Sequence, residues 1–210
     1  TETYTLSLND ALPLYRAPEH VGTVTIPPET SLYGEPLAAS VEGRYTFCAA
    51  MKKADVSWSA NLEETSYRPP KHPEYAFGLP TRYRWGCWGR RCGNSGTNVG
   101  DGSGQLDDLG FLNVKTTITK PKDAETARKP GLLTLEADVT DVNRQSTSSR
   151  ATTLVHPAAV YTGLRTAKNL IKEGEPIAVE GVVVDVEGVR KAGKPVKVRA
   201  LLRSWRRKAE

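Results

Sequence analysis

Residues 131–165 read GLLTLEADVTDVNRQSTSSRATTLVHPAAVYTGLR, and this stretch decides the fold. In its first third, Leu133, Leu135, Ala137 and Val139 occupy every second position between polar residues. A period of two turns one face of a strand toward a core and the other toward water. The polar run 141–149 is turn-forming, and the strand pattern returns at 151–155. The stretch therefore predicts a β-hairpin with Leu135 and Val139 in the core, and it carries no catalytic chemistry.

The composition is that of an ordinary globular chain. Of 210 residues, 38% are hydrophobic and 25% are charged, which excludes an intrinsically disordered chain. This length can bury the core of one large β domain or two smaller ones. No apolar run approaches the roughly 18 residues of a membrane helix, and no signal peptide opens the chain. Because the chain begins at Thr1 without a methionine, we expect a piece of a longer protein.

Strand patterns recur along the chain, and no helical stripe of comparable length competes with them. In the third predicted strand, Leu37, Ala39, Val41, Tyr45 and Phe47 share one face, which places Tyr45 and Phe47 in the core. Trp58 shares an inward face with Val56 and Ala60 and is also expected in the core. The predicted strands are 3–8, 21–26, 37–47, 55–60, 111–119, 132–142 and 150–155. Seven strands separated by turn-rich segments predict an all-β fold, an antiparallel β-sandwich of immunoglobulin or fibronectin type.

Two units are predicted. The sandwich takes residues 1–156, and a second unit takes residues 157–210, with strands at 160–164, 177–186 and 196–202. Three strands are too few for a closed sandwich, so we expect this unit to be truncated.

Residues 79–104 interrupt the strand alternation and are predicted to form one long inserted loop. A loop of this length is usually functional or disordered. Its cations and aromatic rings could bind a phosphate or polysaccharide chain by charge and stacking, or the rings could dock on the sandwich while the arginines stay in water. The residues concerned are Arg82, Tyr83, Arg84, Trp85, Trp88, Arg90 and Arg91.

The three cysteines leave several states open. Cys87 and Cys92 lie five positions apart beside three glycines, so their Cα atoms can approach the roughly 5.5 Å that a disulfide needs. Cys48 follows an apolar strand and is expected to be an inert buried thiol.

Signals for an enzyme or a metal site are weak, and we expect no enzyme, no cofactor and no metal. The histidines show no zinc-ligand spacing relative to the cysteines. The run Asp101 to Asp108 resembles a calcium loop, but Leu112 stands where an EF-hand places its bidentate glutamate. A turn whose carboxylates cap backbone N–H groups is the better interpretation.

Residues 137–165 resemble the bacterial alpha-2-macroglobulin family, large secreted protease traps built from macroglobulin domains. Other segments that resemble the family follow in the same order: 45–47, 54–58, 75–78, 105–111, 183–188 and 192–198. Two features depart from the family pattern: Cys48 stands where the family usually has glycine, and 79–104 has no counterpart.

The resemblance implies a structural scaffold fragment of a bait-and-trap protease inhibitor, periplasmic or extracellular. Its partners would be neighbouring macroglobulin domains and, through the whole protein, proteases; a membrane contact would need an anchor outside this chain. Neither a bait segment nor the thioester signature Cys-x-Glu-Gln is present. Two rival classes remain: a β-sandwich adhesin or carbohydrate-binding module using the Trp85 and Trp88 loop, and a basic nucleic-acid-binding domain. The net charge of +5 is modest for this length, so we expect no nucleic-acid partner.

Overall fold

The computed structural model describes residues 19–78, 96–124, 126–168 and 170–201. Within these ranges the chain forms β-strands and one 3₁₀ turn at Thr126–Arg128. The strands are β1 His20–Thr25, β2 Ser31–Leu32, β3 Pro36–Tyr45, β4 Asp55–Glu64, β5 Ala76–Phe77, β6 Thr97–Gln105, β7 Phe111–Thr117, β8 Gly131–Thr140, β9 Ser146–His156, β10 Val160–Thr166 and β11 Val179–Asp185.

Two sheets face each other and form a sandwich. One has the order β1-β3-β7, and the other has the order β2-β9-β8-β4-β6. Their pairs are antiparallel except that β2 runs parallel to the end of β9. The alternating residues of β8 point between the sheets, where Leu135 and Val139 are completely buried against a core that includes Leu37 and Val41 of β3. The all-β prediction is confirmed.

Four turns share one hydrogen-bond pattern. In each five-residue turn, the N–H of the first residue donates to the carbonyl of the fifth residue, and the N–H of the fourth residue donates to the carbonyl of the first. The turns are 45–49, 107–111, 141–145 and 185–189. The fourth residue has a positive φ in every case: Cys48 at 69°, Gly110 at 85°, Arg144 at 60° and Gly188 at 79°. This geometry is that of a tight hairpin with a left-handed residue before the returning strand. Three turns begin with aspartate, whose Oδ1 accepts the third and fifth N–H groups.

The second unit contains a three-stranded sheet of order β11-β10-β5. Its small core comprises Tyr75, Tyr161, Val182 and Val184. Strand β5 lies in sequence between β4 and β6 of the sandwich, yet it pairs with β10. The chain therefore leaves the sandwich after β4, contributes to the second unit, and returns. The predicted division at 156/157 misses this excursion, because a two-residue strand leaves no periodic signal.

Two further sequence predictions are wrong. The end of the predicted loop 79–104 is strand β6. Alternation of apolar and polar residues does not predict this strand, because Gly100, Gly102 and Gly104 occupy its inward positions. The predicted strand 196–202 is not a strand over its described part, up to Leu201; Val196 and Val198 are exposed there.

Candidate functional site

The predicted binding loop and the predicted disulfide lie outside the described residues. They involve Arg82, Tyr83, Arg84, Trp85, Cys87, Trp88, Arg90, Arg91 and Cys92. Both therefore stay predictions.

The residues that the sequence predicts in the core differ in their burial. Leu135 and Val139 are fully buried, and Tyr45 packs half-buried against the core. Phe47 is 73% exposed, so its assignment to the core is wrong. Strand β3 ends at Tyr45, and Phe47 occupies the following turn, where its ring stacks on that of Tyr45 with centroids 5.1 Å apart. Cys48, in the same turn, is exposed rather than buried.

Trp58 lies half-buried on β4 and packs against the core. Its indole ring crosses the inward face of β6, where the absence of side chains makes room. A Cβ on Gly102 would lie 2.8 Å from Trp58 Cζ2, closer than real Cβ contacts allow. The glycines of β6 and Trp58 are therefore complementary, and Trp58 closes the sandwich at this edge.

The outward face of the five-stranded sheet forms a shallow polar trough of about 880 Å³. Its side chains come from β4, β6, β8 and β9: Ser57, Ser59, Asp101, Ser103, Glu136, Asp138, Ser148 and Arg150. Arg150 lies 3.8 Å from Glu136, and Ser148 donates a hydrogen bond to Asp138. Such a surface can bind polar groups by hydrogen bonds.

The histidines lie elsewhere: His20, His72 and His156 are all buried. No group of three or more potential metal ligands occurs in the part of the chain that the structure describes.

His156 and Tyr161 form the centre of the junction between the two units. His156 ends β9, and its Nδ1 lies 2.7 Å from the Tyr161 hydroxyl of β10. Burial lowers the pKa of His156 and raises that of Tyr161, which is raised further by Tyr67. Burial therefore favours the neutral imidazole, whose Nδ1 shares a hydrogen bond with the tyrosine hydroxyl. The ring of Tyr67, from the segment after β4, meets His156 edge-on at 4.8 Å.

A second set of contacts fixes the excursion segment against the 185–189 turn. The Tyr67 hydroxyl donates to the carbonyl of Val186, and His72 Nε2 lies 3.1 Å from that of Gly188. A Cβ on Gly188 would lie 2.0 Å from the carbonyl oxygen of Pro70, so this contact requires glycine. Sequence reasoning missed the junction, because residues far apart in sequence build it.

Three aspartates at the turns accept hydrogen bonds from backbone N–H groups. The calcium-loop alternative is not supported, since Asp107 Oδ1 accepts the N–H groups of Leu109 and Phe111 at 2.9 and 2.8 Å. Asp141 and Asp185 behave in the same way, and these backbone hydrogen bonds hold the pKa of both carboxyls below its ordinary value.

Comparison with known proteins places the fold. No family model matches the chain. The Dictyostelium discoideum protein named Circularly permutated Ras protein 2 is 23% identical over 186 residues, which cover 83% of this chain and 5% of that protein.

Solved bacterial alpha-2-macroglobulins have the same fold over part of their length. The native Escherichia coli protein superposes with a TM-score of 0.55 at 17% identity, covering 83% of this chain and 11% of its own. The Salmonella protein reacted with methylamine superposes with a TM-score of 0.57 at 14% identity. The match covers 88% of this chain and 13% of the Salmonella chain. The chain thus has the β-sandwich fold of alpha-2-macroglobulin domains and spans a small part of those proteins. The described ranges contain no helix that is long and apolar enough to cross a membrane.

Proposed function

We propose that this chain is a scaffold module of a longer alpha-2-macroglobulin-like protease inhibitor, where it holds two successive β units in a fixed relation. One observation carries the proposal: the solved alpha-2-macroglobulins match 82–88% of the chain, more than the sandwich alone provides. Similarity that extends past the sandwich into the second unit supports a shared arrangement of units as well as a shared type of domain.

The junction suits this role. Only Pro157, Ala158 and Ala159 separate β9 from β10. The Tyr161 hydrogen bond to His156 and the crossing segment with Tyr67 add two further connections. Buried hydrogen-bonded contacts resist hinge motion, because opening them would leave polar groups unsatisfied. A rigid pair of units transmits a displacement at one end to the other.

In the longer protein, protease cleavage of a bait segment would trigger collapse of the domain array around the protease. This chain lacks the Cys-x-Glu-Gln signature, so we assign any thioester and the bait to other parts of that protein. We place the protein in the periplasm or outside the cell, and we assign no catalytic step to this chain.

The test compares the longer protein with the isolated 210-residue chain, each mixed with trypsin. An enclosed protease still cleaves a small chromogenic peptide but no longer reaches casein. We expect the longer protein to block casein cleavage only, and the isolated chain to block neither.

The module's own part is tested by Tyr67→Ala in the longer protein, with Ser57→Ala in the exposed trough as the matched control. Tyr67→Ala should reduce the enclosed fraction while cleavage of the bait, followed on a gel, continues. A longer protein that never protects casein, or an isolated chain that inhibits trypsin, would refute the proposal.

A further inference from the structure

Strand β6 is the outermost strand of the five-stranded sheet, and in the described ranges only β4 pairs with it. Natural proteins commonly protect such an edge with lysine, proline or a bulge. Residues 101–105 contain neither lysine nor proline, and the register shift of the ladder lies between Ala60 and Asn61 of β4, beyond this stretch. Within the described chain, the edge over residues 101–105 is therefore regular and open to a further strand.

The register of β6 against β4 determines which backbone groups point outward. The N–H of Leu106 donates to the carbonyl of Ala54 at 3.0 Å, which makes this pair a hydrogen-bonded one. Along an antiparallel ladder, hydrogen-bonded pairs alternate with pairs whose N–H and C=O groups point away from each other. Counting from Leu106, the backbone groups of Gln105, Ser103 and Asp101 therefore point away from β4, toward the outer edge.

The inward side of this edge lies beside two apolar side chains. Gly102 and Gly104 occupy inward positions of β6, and a Cβ on Gly104 would lie 3.1 Å from Leu112 Cδ1, as one on Gly102 would contact Trp58. Both Trp58 and Leu112 are only partly buried. Successive side chains of a strand point to opposite faces, so a strand added beside β6 would direct every second side chain toward Trp58 and Leu112. Apolar side chains suit these positions.

The outward side of the edge is acidic. Asp101 lies in a row across the sheet with Ser59, Glu136 and Arg150. Asp138 adds a carboxylate from the next row, so the trough holds three carboxylates and one guanidinium. Arg150 lies 3.8 Å from Glu136, whereas no described residue forms an ion pair with Asp101. These charges favour basic side chains on the outward face of an added strand.

We propose that the outer edge of β6 is a binding site for an extended peptide of another polypeptide, in which apolar residues alternate with basic ones. The peptide adds a strand to the five-stranded sheet through the backbone groups of Asp101, Ser103 and Gln105. Its apolar side chains pack beside Trp58 and Leu112, and its basic side chains face the trough. In this mode of recognition, backbone hydrogen bonds supply affinity and alternate side chains supply specificity. The site lies within this chain and so does not depend on the protease-trap role.

The test measures binding of fluorescent peptides, as long as β6, to the 210-residue chain by anisotropy. The probe alternates lysine with valine. One control alternates glutamate with valine, and a second has the composition of the probe but places all its lysines before its valines. We expect the probe to bind about tenfold or more tightly than either control, since only the probe matches both faces of the edge. Equal affinity for the probe and its rearranged form would mean that charge alone attracts them, which overturns the inference.

A proline in β6 tests the backbone contact. Ser103→Pro removes an outward N–H, and an edge strand tolerates proline at such a position because its ladder to β4 stays intact. Ser103→Ala is the matched control, because it keeps the N–H. We expect the proline variant to bind the probe about tenfold more weakly, since a peptide carbonyl loses its donor, and the alanine variant to bind it unchanged. Thermal unfolding checks that both variants are folded, and unchanged affinity in a folded proline variant would exclude strand addition.

A charge reversal provides a test that leaves the backbone intact. Asp101→Lys should shift the preference of the chain from the lysine peptide toward the glutamate peptide. Glu173→Lys is the control, because it makes the same charge change at an exposed residue outside β6 and should leave the preference unchanged. The same shift in both variants would place the peptide elsewhere on the chain and defeat the proposal.

Two other occupants of the edge have their own signatures. If the amides of Asp101 and Ser103 exchange slowly before any peptide is added, another part of this chain covers the edge. If light scattering shows dimers that Ser103→Pro abolishes, a second copy pairs with β6. Either result overturns the proposal, whereas amides that exchange fast in the free chain and slowly with the probe support it.

Discussion

His156 Nδ1 and the hydroxyl of Tyr161 form a hydrogen bond of 2.7 Å across the boundary between the sandwich and the second unit. Both residues are buried, so each polar atom depends on the other. The two units are thus joined by a specific polar contact as well as by apolar packing.

Removal of this hydroxyl should weaken the chain. Tyr161→Phe leaves the buried imidazole nitrogen without its hydrogen-bond partner, which costs about 1–3 kcal/mol of unfolding free energy. Tyr75→Phe is the control, because the Tyr75 hydroxyl makes only a 3.5 Å contact with Glu180. Urea denaturation measures both variants, and equal losses would argue against the role of the junction bond.

Stability should fall as the pH drops below neutrality. Burial lowers the pKa of His156 below 6.5, so the unfolded chain binds a proton more readily than the folded one. The stabilisation is complete above pH 6.5 and is lost progressively as the pH falls from there toward the lowered pKa. Asp141 and Asp185, whose pKa values are lowered from 3.8, act only at still lower pH.

The comparison for this pH effect is His156→Asn, which removes the titrating group. Thermal unfolding at pH 7.5 and 5.5 should show a smaller difference for the variant than for the unchanged chain. An identical difference would mean that other groups cause the pH dependence.

Gly188 should tolerate no side chain. Gly188→Ala adds a Cβ within 2.0 Å of the Pro70 carbonyl at a φ of 79°, whereas Gly193→Ala has a φ of 71° and no atom within 4 Å. The control has the same backbone strain without the clash. We expect Gly188→Ala to lose about 1–3 kcal/mol more than Gly193→Ala, the range for overpacking. Similar losses in chemical denaturation would show that the excursion segment yields easily.

Trp58 and Gly102 should behave as a coupled pair. Trp58→Ala should cost about 3 kcal/mol, near the low end for tryptophan truncation because the ring is half-buried. Gly102→Ala alone should destabilise the chain by displacing the ring, and in the Trp58→Ala background it should cost less. Gly181→Ala, with its nearest atom at 3.7 Å, is the control. Additive losses in a double-mutant cycle would contradict the contact.

The second unit should exchange its amide protons faster than the sandwich or associate with another copy. Val160, Leu164 and Val179 expose apolar surface on the sheet, and among the described residues the outer edge of β11 is covered only by the short return of the chain at Arg190 and Lys191. Hydrogen exchange and light scattering check this expectation. A monomer with uniformly slow exchange over 177–201 would show that the unit is complete by itself.

The features that the sequence predicts are those encoded locally. The hairpin of β8 and β9 follows from alternation at Leu133 through Val139, because one face is buried and the other is wet. The alternation does not predict strand β6, because its inward residues are glycines, and the ring of Trp58 occupies the space beside Gly102. Phe47 continues the alternation of β3 by sequence alone, but the turn that begins at Tyr45 redirects it to solvent. The junction of Tyr67, His156 and Tyr161 depends on tertiary placement, which periodicity does not contain.

The excursion of β5 into the second unit affects how the molecule is made and how it comes apart. As the polypeptide leaves the ribosome, the segment with Tyr67 and Phe77 emerges long before its partner strand β10, so the second unit can assemble only after the sandwich strands β8 and β9 have been synthesised. A protease that cuts at Pro157 would not separate the units, because each fragment retains strands that pair with the other. We expect such fragments to stay associated through the pairing of β5 with β10 and the contacts of Tyr161 with His156.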